Sequence, residues 1–476
     1  MDANRYALET IPSPPAFPGA ASPVISDETL HRRLAAIIER MQQQQIAQLI
    51  IYADKEHGSN FEYLAGFIPR FEEALLVVTQ QGELTYIMGN ENLKLVPFAR
   101  NPGRCLHAAV FSLPNQPMRG DQSLDQLLTE AGIVAGERTG LVGWKLFTGR
   151  QPGMFDLPQF IYAAAAQAAG GDAQLVNATG LFISPDNGAR CVNGADEVAF
   201  YEAGANLAST AMLAALDSVA PGVTEKALGA RLNAEGQPNT VVTIAATGDR
   251  FALARLYPSD KRIATGDKLS LTTGTTGYKG GLTSRSAYVV SEASELQCNV
   301  SDWLTRLAIP YYHAVVSWME QLRIGITGGE LYSLIETVLP KAQYGWHLNP
   351  GHLVADEEWL SSPIYPDSAV TLKSGMLLQI DIIPSVPGYG GCSIEDTVGL
   401  ADAALRDELA CRFPDLWQRM TQRKAYLTDV LRIELAEEVI LLSNTVGYLR
   451  PFLLDKRRAL VRQQGLNRPD AAGNNL

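Results

Sequence analysis

Between Gly345 and Ala401 the chain carries acids and histidines on segments with the composition of β-strands, and no amphipathic helix separates them. In GMLLQIDIIP, Asp381 interrupts an apolar run, and in CSIEDTV the pair Glu395 and Asp396 does the same. A carboxylate in a buried strand needs a partner, so these acids constrain the fold more than the apolar residues around them do. The intervening SVPGYGG supplies turn residues, and the two runs are expected to pair as an antiparallel hairpin. Alternation then puts Gln379, Asp381 and Ile383 on one face of the first strand and Ser393, Glu395 and Thr397 on one face of the second. Asp381 and Glu395 are expected to converge, with Asp396 facing the other way into structure. The GYGG segment is a turn and not a phosphate cradle, because it neither leads a strand into a helix nor carries a lysine.

At 476 residues the chain exceeds one ordinary core, and two or three domains are expected. A net charge of -12, with one small basic cluster near Lys456, Arg457, Arg458 and Arg462, argues against nucleic-acid and anionic-membrane partners. Five cysteines without a CxxC spacing read as reduced thiols of a cytoplasmic protein. The first residues have charges and prolines where an export signal has an apolar core, and no apolar run reaches about 18 residues. Neither export nor a membrane span is expected.

Residues 1–26, with Pro12, Pro14, Pro15, Pro18 and Pro23, read as an extended arm without regular structure. Residues 27–185 alternate helical and strand patterns, as in an α/β domain, beginning with a helix that places Leu30, Leu34, Ile37, Ile38 and Met41 at core spacing behind a cap at Ser26 or Asp27. After a linker-like SPDNGARCVNG, residues 190–440 open on a long helix and carry strands near TVVTIAA, DKLSLTTG and TSRSAYVV, then further helices. Residues 441–476 form a C-terminal extension whose last part, RPDAAGNNL, is expected to be loose.

In this order, several segments resemble signatures of the pita-bread superfamily, which includes creatinase, Xaa-Pro aminopeptidase, prolidase and methionine aminopeptidase. NFEYLAGF resembles the "YLTGF" of creatinase-type N-terminal domains, SVAPGVTEKALGARL the "PG.TE" helix pair, and TGDKLSLTTGTTGYKGG the "GD.V..D.G....GY" hairpin. The PGH at 350–352 resembles the "GHG" turn, SGMLLQIDIIP the "GM..TIEPG" strand and SIEDTV the "RIEDTV" strand. The resemblance spans about residues 27–440. It implies an α/β N-terminal creatinase-like domain followed by an α+β C-terminal pita-bread domain.

The family's usual chemistry uses two divalent metals held by Asp, Asp, His, Glu and Glu, which activate water against a peptide carbonyl. Carried over by the resemblance, the first Asp falls on Thr272, and the second on Leu282 or Thr283 according to the end from which residues are counted. The His falls on His352, the first Glu on Asp381 and the second on Glu395, while an upstream substrate-side histidine falls on Arg255. Losing two charged oxygen ligands makes a dinuclear centre unexpected; no cofactor is expected beyond at most one divalent ion at His352, Asp381 and Glu395.

The expected function is therefore hydrolysis of a carbon–nitrogen bond in a small amide, guanidino compound or dipeptide. His352 would move the proton, Asp381 and Glu395 would orient substrate or water, and Arg255 would steer an anionic end. His347 is a second substrate-side candidate. His57, in the loop Asp54 to His57, is another, because creatinase-like dimers extend such a loop towards the partner's pocket; a homodimer is expected accordingly. Two alternatives stand beside this reading: a catalytically inactive pita-bread binding protein, and a conventional metal-dependent aminopeptidase.

Overall fold

A computed structural model describes residues 5–21, 23–120, 122–149, 153–275 and 281–463. Strand β1 (Tyr6–Thr10) opens the described chain. The chain then divides into two compact units, residues 24–192 and residues 193–463 together with 5–23. Among the described residues, no helix is long and apolar enough to cross a membrane.

The unit of residues 24–192 starts with a helix over Asp27–Gln43, capped by Ser26, whose side chain accepts from the Thr29 amide. Leu30, Ile37 and Met41 form its buried stripe. Six strands follow: β2 (Gln48–Ala53), β3 (Ala74–Thr79), β4 (Leu84–Met88), β5 (Arg104–His107), β6 (Thr139–Val142) and β7 (Leu175–Asn177). They form one mixed sheet in the order β5-β4-β3-β2-β6-β7. The turn at Gln81 and Gly82 joins β3 to β4, where Gly82 takes a φ of 85°. Ile50, Leu75, Val77, Ile87 and Leu141 pack with Leu127, Leu128, Ile161 and Ala165 from two helices to make the core of this unit.

In the other unit a helix over Ala195–Ser218 is buried almost all round, which its alanine-rich sequence permits. The strands β8 (Ile244–Thr247), β9 (Lys268–Thr273), β10 (Thr283–Tyr288), β11 (His352–Leu353), β12 (Leu377–Gln379), β13 (Ser393–Glu395), β14 (Thr397–Leu400), β15 (Val439–Leu441) and β16 (Arg458–Arg462) follow. The first eight build two four-stranded sheets, ordered β13-β10-β9-β8 and β11-β12-β14-β15, and β16 pairs with β1. Residues 393–400 are one extended run that serves both sheets, changing allegiance at Asp396.

Two expectations are corrected. The arm of residues 1–26 is not wholly irregular: Tyr6–Thr10, which precede the first proline, pair antiparallel with β16, Tyr6 opposite Arg462 and Thr10 opposite Arg458. The hairpin of the two acid-bearing runs forms only in part. Gln379 pairs with Thr397 and Leu377 with Gly399, but Asp381 lies past the end of β12 and Glu395 belongs to β13, whose partner is β10. The expected tail RPDAAGNNL and residues 276–280 of the "GY" hairpin lie outside the described residues.

Candidate active site

Backbone register assembles the site. His352 on β11 sits opposite Gln379 on β12, and Asp381 follows two residues later in the same side-chain parity. The Ile380 amide donates to the Asp396 carbonyl at 3.0 Å, which fixes the chain just before Asp381 against the crossing strand. On that strand Glu395 pairs with Ser284 of β10, and Ser284 pairs with Thr272 of β9. As expected, Asp381 and Glu395 converge: with His352 they offer ligand atoms all within 4.8 Å of one another, the one such group among the described residues.

His352 is fully buried and stacks on Trp359, with ring centroids 4.0 Å apart and planes 27° apart. Its Nδ1 lies 3.0 Å from the Leu353 carbonyl, which can only accept, so Nδ1 carries a hydrogen and Nε2 is the working atom. Nε2 lies 3.2 Å from Glu358 Oε1 and 3.9 Å from Asp381 Oδ2. Neither Nε2 nor the buried Asp381 Oδ1 has an aligned hydrogen bond. Burial opposes protonation of His352, but the neighbouring Glu358 and Asp381 outweigh it and raise its pKa. Burial pushes Asp381 up to about 6, against the pull of His352. Burial, with Asp381, Glu358 and Asp396 nearby, pushes Glu395 well above the usual carboxylate range. The cluster thus holds protons near neutral pH that isolated carboxylates would have released.

Glu358 was not singled out by sequence. In ADEEWL it reads as one of three solvated acids, yet it sits at φ 66° beside His352. A glutamate held in the left-handed region is strained backbone, and the sequence holds no periodic signal for it.

Asp396, expected to serve structure, does so. It accepts from Arg285 Nη2 at 2.6 Å, Thr283 Oγ1 at 2.9 Å and Thr445 Oγ1 at 2.6 Å, all buried. This also separates the two positions left open by counting. Thr283 points to Asp396, whereas Leu282 shares the parity of Ser284 and hence the face of Thr272. On that face Thr272 and Ser284 bond each other's hydroxyls at 3.0 Å. The donor set fits one divalent ion, through His352, Asp381 and Glu395, and Thr272, Leu282 and Ser284 add no charge for a second.

Arg255 and His347 are not part of this cluster. Arg255 is exposed on the turn after Ala254, and His347 is exposed with its carbonyl near Lys341 Nζ at 3.4 Å. No hydrogen bond or ion pair joins either side chain to His352, Asp381 or Glu395. His57 belongs to the unit of residues 24–192, where its ring pairs with Asp54 at 3.2 Å and packs on Trp144.

Residues 199–401 match the metallopeptidase family M24. An Xaa-Pro dipeptidase of Pyrococcus horikoshii is 28% identical over 221 residues, which is 44% of this chain and 60% of that protein. A Pyrococcus furiosus Xaa-Pro dipeptidase is also 28% identical, with the same coverage; the chain thus spans about 60% of the length of the curated relatives it matches. Among solved structures, the Pyrococcus horikoshii prolidase superposes with a TM-score of 0.61 at 19% identity, covering 78% of this chain and 95% of that one. Escherichia coli aminopeptidase P, as its His243Ala form, gives 0.56 at 14% identity, covering 83% and 99%. With its N-terminal α/β unit and two four-stranded sheets, the chain has the pita-bread fold of the prolidases and aminopeptidase P, and its residues 199–401 are similar to the M24 metallopeptidases.

Proposed function

We propose that the chain hydrolyses a carbon–nitrogen bond in a small amide, guanidino compound or dipeptide-like molecule without the two-metal centre usual in the family. One observation supports this above the rest: the sheet face that carries Glu395, beside His352 and Asp381, presents Thr272, Ser284 and Leu282 where charged ligands would be required. His352, with Nε2 beside two carboxyl groups, delivers a proton to the departing nitrogen. Asp381 and Glu395 orient the attacking water, whose hydroxyl adds to the carbon as the C–N bond breaks while its proton passes to the Asp381 carboxylate and from there back to His352. An ion bound at these three residues would supply polarisation of the substrate oxygen.

The test is a panel of amides, guanidino compounds and Xaa-Pro dipeptides, assayed with and without chelator, alongside elemental analysis. Turnover that survives chelation, with at most one metal per chain, is expected, and His352→Ala should lower kcat by about 100-fold or more. About two metals per chain would restore the conventional metal-dependent aminopeptidase. Tight binding of a panel member that is never transformed would favour a binding protein. Full turnover by His352→Ala would remove His352 from the mechanism.

A further inference from the structure

The face of β9, β10 and β13 that carries Thr272 and Glu395 continues as a band of hydroxyls. Register sets it out in rows: Glu395, Ser284 and Thr272; then Ser393, Ser286 and Ser270; then Tyr288 and Lys268. Ser270 and Ser286 bond at 3.0 Å, as Thr272 and Ser284 do, so the hydroxyls are held in fixed positions. A band of small residues alone would be sheet packing. Here one end meets His352 Nε2 and Asp381 Oδ1, both buried and without aligned hydrogen bonds. The other end meets a cation. Lys268 is half-buried, and among the described residues its ammonium has no carboxylate within 4 Å and no hydrogen bond. Gly390 brings bare backbone over it, since a Cβ there would lie 2.5 Å from Nζ. Burial pushes the Lys268 ammonium below its ordinary range, which an anion alongside would reverse.

We infer that this hydroxyl band is the floor of the substrate cleft and that Lys268 is its anion subsite, so that the substrate is a short extended peptide-like amide with a free carboxylate. The inference rests on the hydrolase reading above for the position of the cut bond. Lys268 and Thr272 are four positions apart on one strand, about 13 Å at about 3.3 Å per residue, which suits a carboxylate roughly three residues from the acid cluster. The hydroxyls serve the backbone groups between, as neutral donors and acceptors do.

The probes are Ala-Pro-Ala-Ala and its C-terminal carboxamide, titrated calorimetrically into the full chain, with product analysis run separately. The free acid should bind at least about tenfold tighter than the amide, in line with one charge-assisted hydrogen bond. Lys268→Met should erase that gap while leaving amide binding unchanged, and Lys268→Arg should keep most of it. Equal binding of acid and amide by the unmodified chain overturns the inference, as does a gap that survives in Lys268→Met, or no binding of either up to about 10 mM. Lys268→Gln serves where Lys268→Met fails to fold. A preserved gap with no cleavage of either probe would sink the hydrolase reading and leave the subsite standing.

Discussion

At the scale of single residues, the site is marked by the neutral side chains that two neighbouring strands place beside Glu395. Thr272 and Leu282 share a face with Ser284, and each could carry an aspartate whose carboxylate would meet those of Asp381 and Glu395. The double variant Thr272→Asp, Leu282→Asp is expected to raise bound manganese or cobalt from at most one to about two per chain, measured by elemental analysis after dialysis. Without metal it should lose several kcal/mol of stability, because Leu282 is buried and an unpaired carboxylate there has no compensating cation. Metal titration should then recover most of the loss in thermal midpoint; unchanged stoichiometry would show that these positions are not the missing ligands. Much of this was legible in the sequence, since alternation alone puts Asp381 and Glu395 on converging faces. Glu358 was not, because its place beside His352 depends on a positive φ in an irregular loop. Lys268 was hidden for a different reason: its meaning comes from the rows formed with β10, and a single strand read alone shows only a polar residue at its start.

At the scale of elements, the extended run 393–400 matters because it belongs to two sheets and must be held where it changes partners. Arg285 on β10 does this, bonding Asp396 at 2.6 Å, the Glu395 carbonyl at 3.2 Å and the Thr445 carbonyl at 2.7 Å. The carboxylate and the guanidinium are both buried, so their net contribution is modest while the cost of breaking the pair is not. Arg285→Met is expected to destabilise the chain by about 3–5 kcal/mol, read as a lower urea midpoint, because it strands Asp396 in the core. Arg285→Met with Asp396→Leu should recover part of that loss. Recovery by the double variant separates charge burial from lost packing, whereas equal losses in both would assign the effect to packing. The pairing of the two acid-bearing runs was legible from SVPGYGG and the alternating pattern. The division of the second run between β13 and β14 was not, because hydrophobic periodicity stays unbroken through a sheet change and only the third partner, β10, reveals it.

At the scale of the whole chain, β1 and β16 tie the residues before the first proline to the end of the described chain, and their pairing covers a titratable core. Tyr6 donates from its hydroxyl to His313 Nδ1 or accepts from it at 3.0 Å, and packs edge-on against Tyr312. Arg432 holds Glu9 from below at 2.7 Å, and Arg462 is held by Glu320 at 2.9 Å. Burial first, then the positive charges of Arg5 and Arg462, push His313 down to about 4. A histidine whose folded pKa lies below its unfolded value of about 6.5 takes up its proton more readily in the unfolded chain. Its neutral state therefore costs nothing above pH 6.5, and the fold loses stability as pH falls from about 6.5 to about 4. The urea midpoint of the unit of residues 193–463 with 5–23 should drop across that window. His313→Gln, which keeps a partner for Tyr6 without a titrating group, should flatten the slope there while carboxylate effects below pH 4 persist. Deleting residues 1–11 should remove the slope by another route, because it opens His313 to water and returns its pKa towards the ordinary value. If the slope between pH 6.5 and 4 is the same in the unmodified chain, His313→Gln and the deletion, then the pairing of the two ends does not control that proton.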